Sequence, residues 1–207
     1  MEVTAMEGKK QYTFKEKLSN FLYYYKWHLI IGAFLLFLVG DWIHSIVTTV
    51  HPDYQVGVIT EYALPQEASD AIQSTLEAQA RDLNGDGKIV VKLRAYTTGT
   101  EGNMYNPMEV ALLADLSTQE NYFLITDDPE GLQAQYQVLA NPDGSSPAED
   151  DFSVEDKVYP VSELLGLDDP LYDQLYVGRR HFAEPEEVDH YEDYSALWDQ
   201  LIAAMQK

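Results

Sequence analysis

Six consecutive residues, Asp82-Leu83-Asn84-Gly85-Asp86-Gly87, put side-chain oxygens at the first, third and fifth positions of a calcium-type loop, with glycine at the sixth. Hard cations need such a cluster of oxygens, and alternate residues on a tight loop deliver it. The twelfth position of that loop falls on Leu93, which has no carboxylate to give. A polar turn is therefore the expectation, with Asp82, Asn84 and Asp86 as the alternative ligands of a weak calcium site. A second group, His181, Glu184, Glu186, Glu187, Asp189 and His190, has no fixed metal spacing and reads as solvated surface. The sequence contains no nucleophile elbow GxSxG, no phosphate-cradling GxxxxGK[ST] and no dinucleotide GxGxxG after a strand. Cysteine is absent, which removes thiolate chemistry and disulfides. No catalytic residue and no further cofactor is expected.

Charge narrows the range of partners. Asp and Glu total 35 against 13 Lys and Arg, a formal net charge of -22. Such a surface repels phosphate backbones, so nucleic acid is excluded as a partner. The excess is uneven. Lys9, Lys10, Lys15, Lys17 and Lys26 cluster before the first long apolar run, whereas most of the acid lies beyond residue 50.

That apolar run supplies the first element. Leu29 to Gly40 (LIIGAFLLFLVG) is uncharged, and apolar character resumes at Trp42-Ile43 and Ile46-Val47. A helix from Trp27 to Val47 would be roughly 30 Å long, about one hydrocarbon core. Tyr23, Tyr24, Tyr25 and Trp27 suit a headgroup belt, and the lysines on the same side place the N-terminus in the cytoplasm. No small-x-small cleavage site follows, so an uncleaved anchor is expected over residues 27–50, preceded by a basic tail 1–26. Asp41 is expected near the outer interface, where its insertion cost falls below the roughly 2.5–3.5 kcal/mol of a mid-bilayer carboxylate. Alternatively Asp41, His44 and Thr48, which share one helical face, form a contact with another transmembrane helix, a second copy or a different subunit.

Beyond Asp53 strands and helices alternate. YQVGVIT (54–60) reads as a buried strand, 65–83 as an amphipathic helix, and KIVVKLRAY (88–96) as a strand near a sheet edge, with Lys92 and Arg94 on its polar side. Asn106-Pro107-Met108-Glu109 marks a helix start with a capping box; the helix through Leu116 is apolar nearly all round and should be buried. NYFLIT (121–126) reads as a central strand, and Asp127-Asp128-Pro129 opens a helix toward Leu139. A polar loop (141–151), a strand within 175–182 and a final helix with Tyr194, Leu197, Trp198, Leu201, Ile202 and Met205 as core complete the pattern. The fold class expected is α/β: an N-terminal transmembrane helix, then one three-layer domain (53–207) with a mainly parallel sheet. Ligands of such sheets bind beyond the strand carboxyl ends, where strand order reverses. If the first and third strands are neighbours, Thr60, Glu61, Thr126 and Asp127 line that crevice; otherwise Asp127 and Asp128 serve as helix caps.

The order of YQVGVIT, DLNGDGKIVVKL, MEVALLADL and NYFLITDDP, with a returning strand and helix, resembles one lobe of extracellular solute-binding (periplasmic-binding-protein-like) domains. The anchor KEKLSNFLYYYKWHLIIG is similar to that of single-pass proteins of monoderm bacteria. The second lobe has no counterpart between Leu139 and Leu175, so a closing clamp is not implied. The resemblance implies a membrane-tethered module outside the cell that binds a small solute, a peptide or a partner protein. An accessory subunit of an envelope complex, contacting its neighbours through the Asp41 face, is the alternative.

Overall fold

The computed structural model describes residues 13–48, 51–99, 106–118 and 121–206. Lys9 and Lys10 of the basic tail fall outside them. The chain forms two units, divided between Val50 and His51.

The first unit is one helix, α1 (Phe14–Thr48). Thr13 opens it with a reciprocal cap: the Glu16 amide donates to Thr13 Oγ1 (3.4 Å), and the Thr13 amide donates to the Glu16 carboxylate (2.9 Å). Within it Phe21–His44 is long and apolar enough to cross a membrane, with mean hydropathy 1.5 and none of that window buried. A helix of this kind near an N-terminus can span a bilayer or serve as a signal sequence. The apolar window opens six residues before the expected Trp27, so Tyr23, Tyr24 and Tyr25 lie inside it.

The second unit is built on five strands: β1 (Tyr54–Thr60), β2 (Val91–Thr97), β3 (Phe123–Thr126), β4 (Val158–Pro160) and β5 (Tyr176–Arg179), in the order β2-β1-β3-β5-β4. β1 pairs in parallel with β2 and β3, while β5 is antiparallel to both β3 and β4. The sheet is therefore mixed, not mainly parallel as the alternation implied. The helix between β4 and β5, α5 (Val161–Leu165), has five residues, so it rises only about 8 Å. That is less than the roughly 13 Å of a four-residue strand, and the chain re-enters the sheet from the end it left.

Period-two alternation sends the sheet's side chains into two cores. Tyr54, Val56, Val58, Phe123, Ile125 and Val177 pack with α2 (Gln66–Glu77), α5 and α6 (Tyr191–Met205). Ile59, Tyr96 and Leu124 point the other way, against α3 (Pro107–Ser117) and α4 (Pro129–Tyr136). Three layers result. The last helix contributes the core its spacing predicted: Leu197, Trp198 and Leu201 are buried, each stabilising by roughly 1.5–3 kcal/mol. Its rings stack on the sheet, Tyr194 on Tyr122 at 4.7 Å between centroids and Trp198 on Phe123 at 5.7 Å. Burial raises the Tyr122 and Tyr194 hydroxyls to about 12.

Two local expectations are corrected. α3 buries only Leu112 and Asp115, whereas Val110 and Leu113 stand 47% and 50% exposed. It lies over the edge strand β2, so a single stripe finds a surface to cover. Glu109 is drawn away from the capping box by Gln135 and Tyr136 of α4, and Asn106 alone caps, accepting from the Met108 amide at 3.0 Å. The polar loop 141–151 is held against the domain. Buried Arg179 donates to the Pro142 carbonyl (2.5 Å), buried Gln133 to that of Asp151 (3.1 Å), and Lys157 pairs with the Asp151 carboxylate (2.8 Å).

Candidate functional site

β1 and β3 lie side by side, and their connections leave on opposite faces: β1 leads into α2, β3 into α4. The reversal point of the fold is thus at the carboxyl ends of these two strands. Thr60 and Thr126 close the strands and are both buried. Their hydroxyls are occupied locally: Thr60 Oγ1 donates to the Tyr62 carbonyl (2.8 Å), and Thr126 Oγ1 accepts from the Asp128 amide (3.1 Å). The two aspartates divide their roles. Asp128 caps α4 through the Gly131 amide (2.9 Å), whereas Asp127 reaches across the sheet to accept from the Glu61 amide (2.8 Å).

Around this bridge lies an open depression of about 630 Å³, lined by Glu61, Thr98, Asp127, Asp128, Asp173 and Tyr176 among others. Gly99, next to Thr98, has its amide bonded to the Glu61 carbonyl at 2.9 Å. A Cβ at that position would stand 2.5 Å from the same oxygen, so only glycine permits the approach. Among the described residues the lining is rich in carboxylates and has no cation, which disfavours anionic ligands. Its amide donor at Glu61 is already satisfied by Asp127. Among the described residues its lining contains no histidine, cysteine or serine.

Asp82, Asn84 and Asp86 are brought together, but each accepts backbone donors of its own loop: Asp82 from Gly85 and Gly87, Asn84 from Asp86, Asp86 from Lys88. Leu93, at the loop's twelfth position, packs against the core. Among the described residues no group of three or more His, Cys, Asp or Glu is placed to hold a metal. His181 is committed at both ring nitrogens, 3.1 Å from Ser146 Oγ and 2.7 Å from the Gln137 carbonyl oxygen. In α1, Asp41 and His44 are exposed. Thr48 ends the same helix, and its side chain lies outside the described residues.

Three arrangements escaped the sequence reading. Asp53, 4% exposed, accepts from the Leu83 (2.8 Å), Asn84 (3.2 Å) and Val90 (2.8 Å) amides. It is what holds the 82–90 loop to the start of β1. Asp115 of α3 meets Arg94 Nε at 2.7 Å and accepts from the Tyr96 hydroxyl, which in turn accepts from Asn121 (3.0 Å). Burial, then Asp115, raises the Tyr96 hydroxyl well above its ordinary value. Arg180, third, donates to the Leu116 carbonyl at the end of α3. The polar stripe of β2 would have signalled the Asp115 pair; nothing local marked Asp53 or Arg180.

No protein-family model matches the chain, and no curated protein or solved structure is significantly similar to it.

Proposed function

We propose that this chain is a membrane-tethered, non-enzymatic binding module: α1 anchors it by a single pass, and the unit from His51 onward binds a ligand or partner outside the cell. One observation carries the reading. A 24-residue apolar window with no buried part belongs to one unit, while a separate unit of the same chain has its own two-sided core. Exposed apolar surface of that extent needs a cover, and a bilayer is the cover its length fits. Lys15 and Lys17 before the span, with Lys26 near the same end of it, support a cytoplasmic N-terminus. The open strand-end depression is the binding face this reading favours, as does the resemblance to a single solute-binding lobe.

Protease added to intact cells should digest the acidic unit and leave a protected fragment containing α1. Complete protection of the acidic unit would sink the proposed placement. A thermal-shift screen of the full chain with sugars, amino acids and peptides tests the binding role, with shifts expected to vanish in Asp127→Ala.

A second reading, an accessory subunit of an envelope complex, is favoured by the outward Val110 and Leu113 of α3. A stoichiometric membrane partner captured by crosslinking would support it. An Asp41→Leu chain with unchanged partner and oligomeric state in detergent would remove the Asp41 face from that reading.

A further inference from the structure

Buried cations are as a rule paired with acids, because desolvation is too costly otherwise. Lys157, 4% exposed, follows the rule with Asp151. Arg180 does not. One nitrogen, Nη2, donates to the Leu116 carbonyl, and the guanidinium carbon stands 4.9 Å from the centre of the Phe182 ring. Nη1 is buried and has no hydrogen-bond partner among the described residues. Burial alone lowers this guanidinium to about 10, so it stays charged at neutral pH, with no ion-pair partner among the described residues.

Its surroundings form a groove of about 420 Å³, whose apolar side is Leu113, Leu116, Val138 and Phe182 and whose polar members besides Arg180 are Ser117 and His181. Small-molecule sites run from about 300 to 1,000 Å³ and combine apolar walls with very few polar groups. The groove also lies away from the strand-end depression. Arg180 follows β5, and its amide donates to the Tyr122 carbonyl just before β3, so it sits at the amino edge of the parallel strands.

We propose that this groove binds a small apolar carboxylate, whose anionic group takes the Arg180 guanidinium while its hydrocarbon part covers Leu113, Leu116 and Phe182. Charge complementarity selects the occupant: a chain with 35 acids against 13 bases presents here a half-buried cation beside apolar side chains, and an amphiphilic anion satisfies both. The site is independent of the strand-end reading and stands if that one fails.

The test uses the full chain in phosphatidylcholine nanodiscs, titrated calorimetrically with 4-phenylbutanoate and with its uncharged amide, empty discs being subtracted. Saturable binding of the acid is expected, at least about tenfold tighter than the amide, the ratio a hydrogen bond to a charged group supplies. Arg180→Met, which keeps the length of the stem, should abolish that preference, and Arg180→Lys should retain part of it. Equal affinity for acid and amide, or no saturable heat at about 10 mM acid, would overturn the proposal. So would an acid preference that persists in Arg180→Met. The acid–amide comparison is made on the wild-type chain, so the test survives a variant that fails to fold.

Discussion

Replacing Asp53 by alanine should be among the most damaging single changes in the domain, and its cost can be worked from three bonds. The carboxylate accepts from Leu83 and Asn84 at one oxygen and from Val90 at the other, and is 4% exposed. Hydrogen bonds to a charged acceptor contribute roughly 1.5–3 kcal/mol each, an upper sum of about 4.5–9 kcal/mol. Asn84 is exposed, so water can recover its amide, whereas the Leu83 and Val90 positions are half-buried. About 3–5 kcal/mol should therefore be lost, a large share of the roughly 5–15 kcal/mol that a domain has. Asp53→Asn keeps one acceptor oxygen but turns an amide group toward a donor, and about 2 kcal/mol is expected. Urea unfolding of residues 51–207, followed by Trp198, the one tryptophan after residue 50, measures both variants. Amide exchange at Leu83 and Val90 gives the local readout. A loss below about 1 kcal/mol for Asp53→Ala, with protection at Val90 intact, would refute the assignment of this carboxylate as the loop's anchor.

Three further outcomes are expected. Gly99→Ala should cost about 1–3 kcal/mol by thermal unfolding, because its Cβ would stand 2.5 Å from the Glu61 carbonyl oxygen; an unchanged midpoint would contradict that crowding. Lys157 holds the Asp151 carboxyl below its ordinary value, so this pair's contribution is present above the unfolded carboxylate value of about 3.9 and is lost as pH falls through the lower folded value. Lys157→Met should thus flatten the acid limb of the stability curve below about pH 4, and an identical limb in the variant would count against the pair. Millimolar calcium should release no heat from the full chain, since Asp82, Asn84 and Asp86 already serve their own loop amides; a saturable exotherm abolished by Asp82→Ala would show otherwise.

Much of the fold could be read where a local pattern decided it. β1 was legible to the residue, because a continuous apolar run stands between Asp53 and Glu61. β2 was legible as an edge from Lys92 and Arg94, and α6 from its period. α2 ends at Glu77 although the apolar period runs on through Ala80 and Leu83; those residues reach the core from a turn, which period alone cannot distinguish. β4 and α5, of three and five residues, are too short to show any period, and the direction of β5 depends on them. At the strand ends, two adjacent acids before Pro129 look equivalent in sequence. Which one caps and which crosses to Glu61 is decided by a neighbour 66 positions away. Asp53 is likewise set by Val90, 37 positions off. Long-range pairings of this kind leave no trace in local spacing.

The two outer strands have a consequence for crowded copies of the chain. One rim, β2, carries exposed Lys92; the other, β4, is three residues long and ends in Pro160, which has no amide hydrogen to offer. Bare rims elsewhere act as templates on which neighbouring chains zip into continuous ribbons. Here one rim repels its like and the other is too brief to hold a register. Molecules packed side by side on a common surface can thus jostle at high density without fusing backbone to backbone, which leaves side-chain faces as the means of any lasting contact.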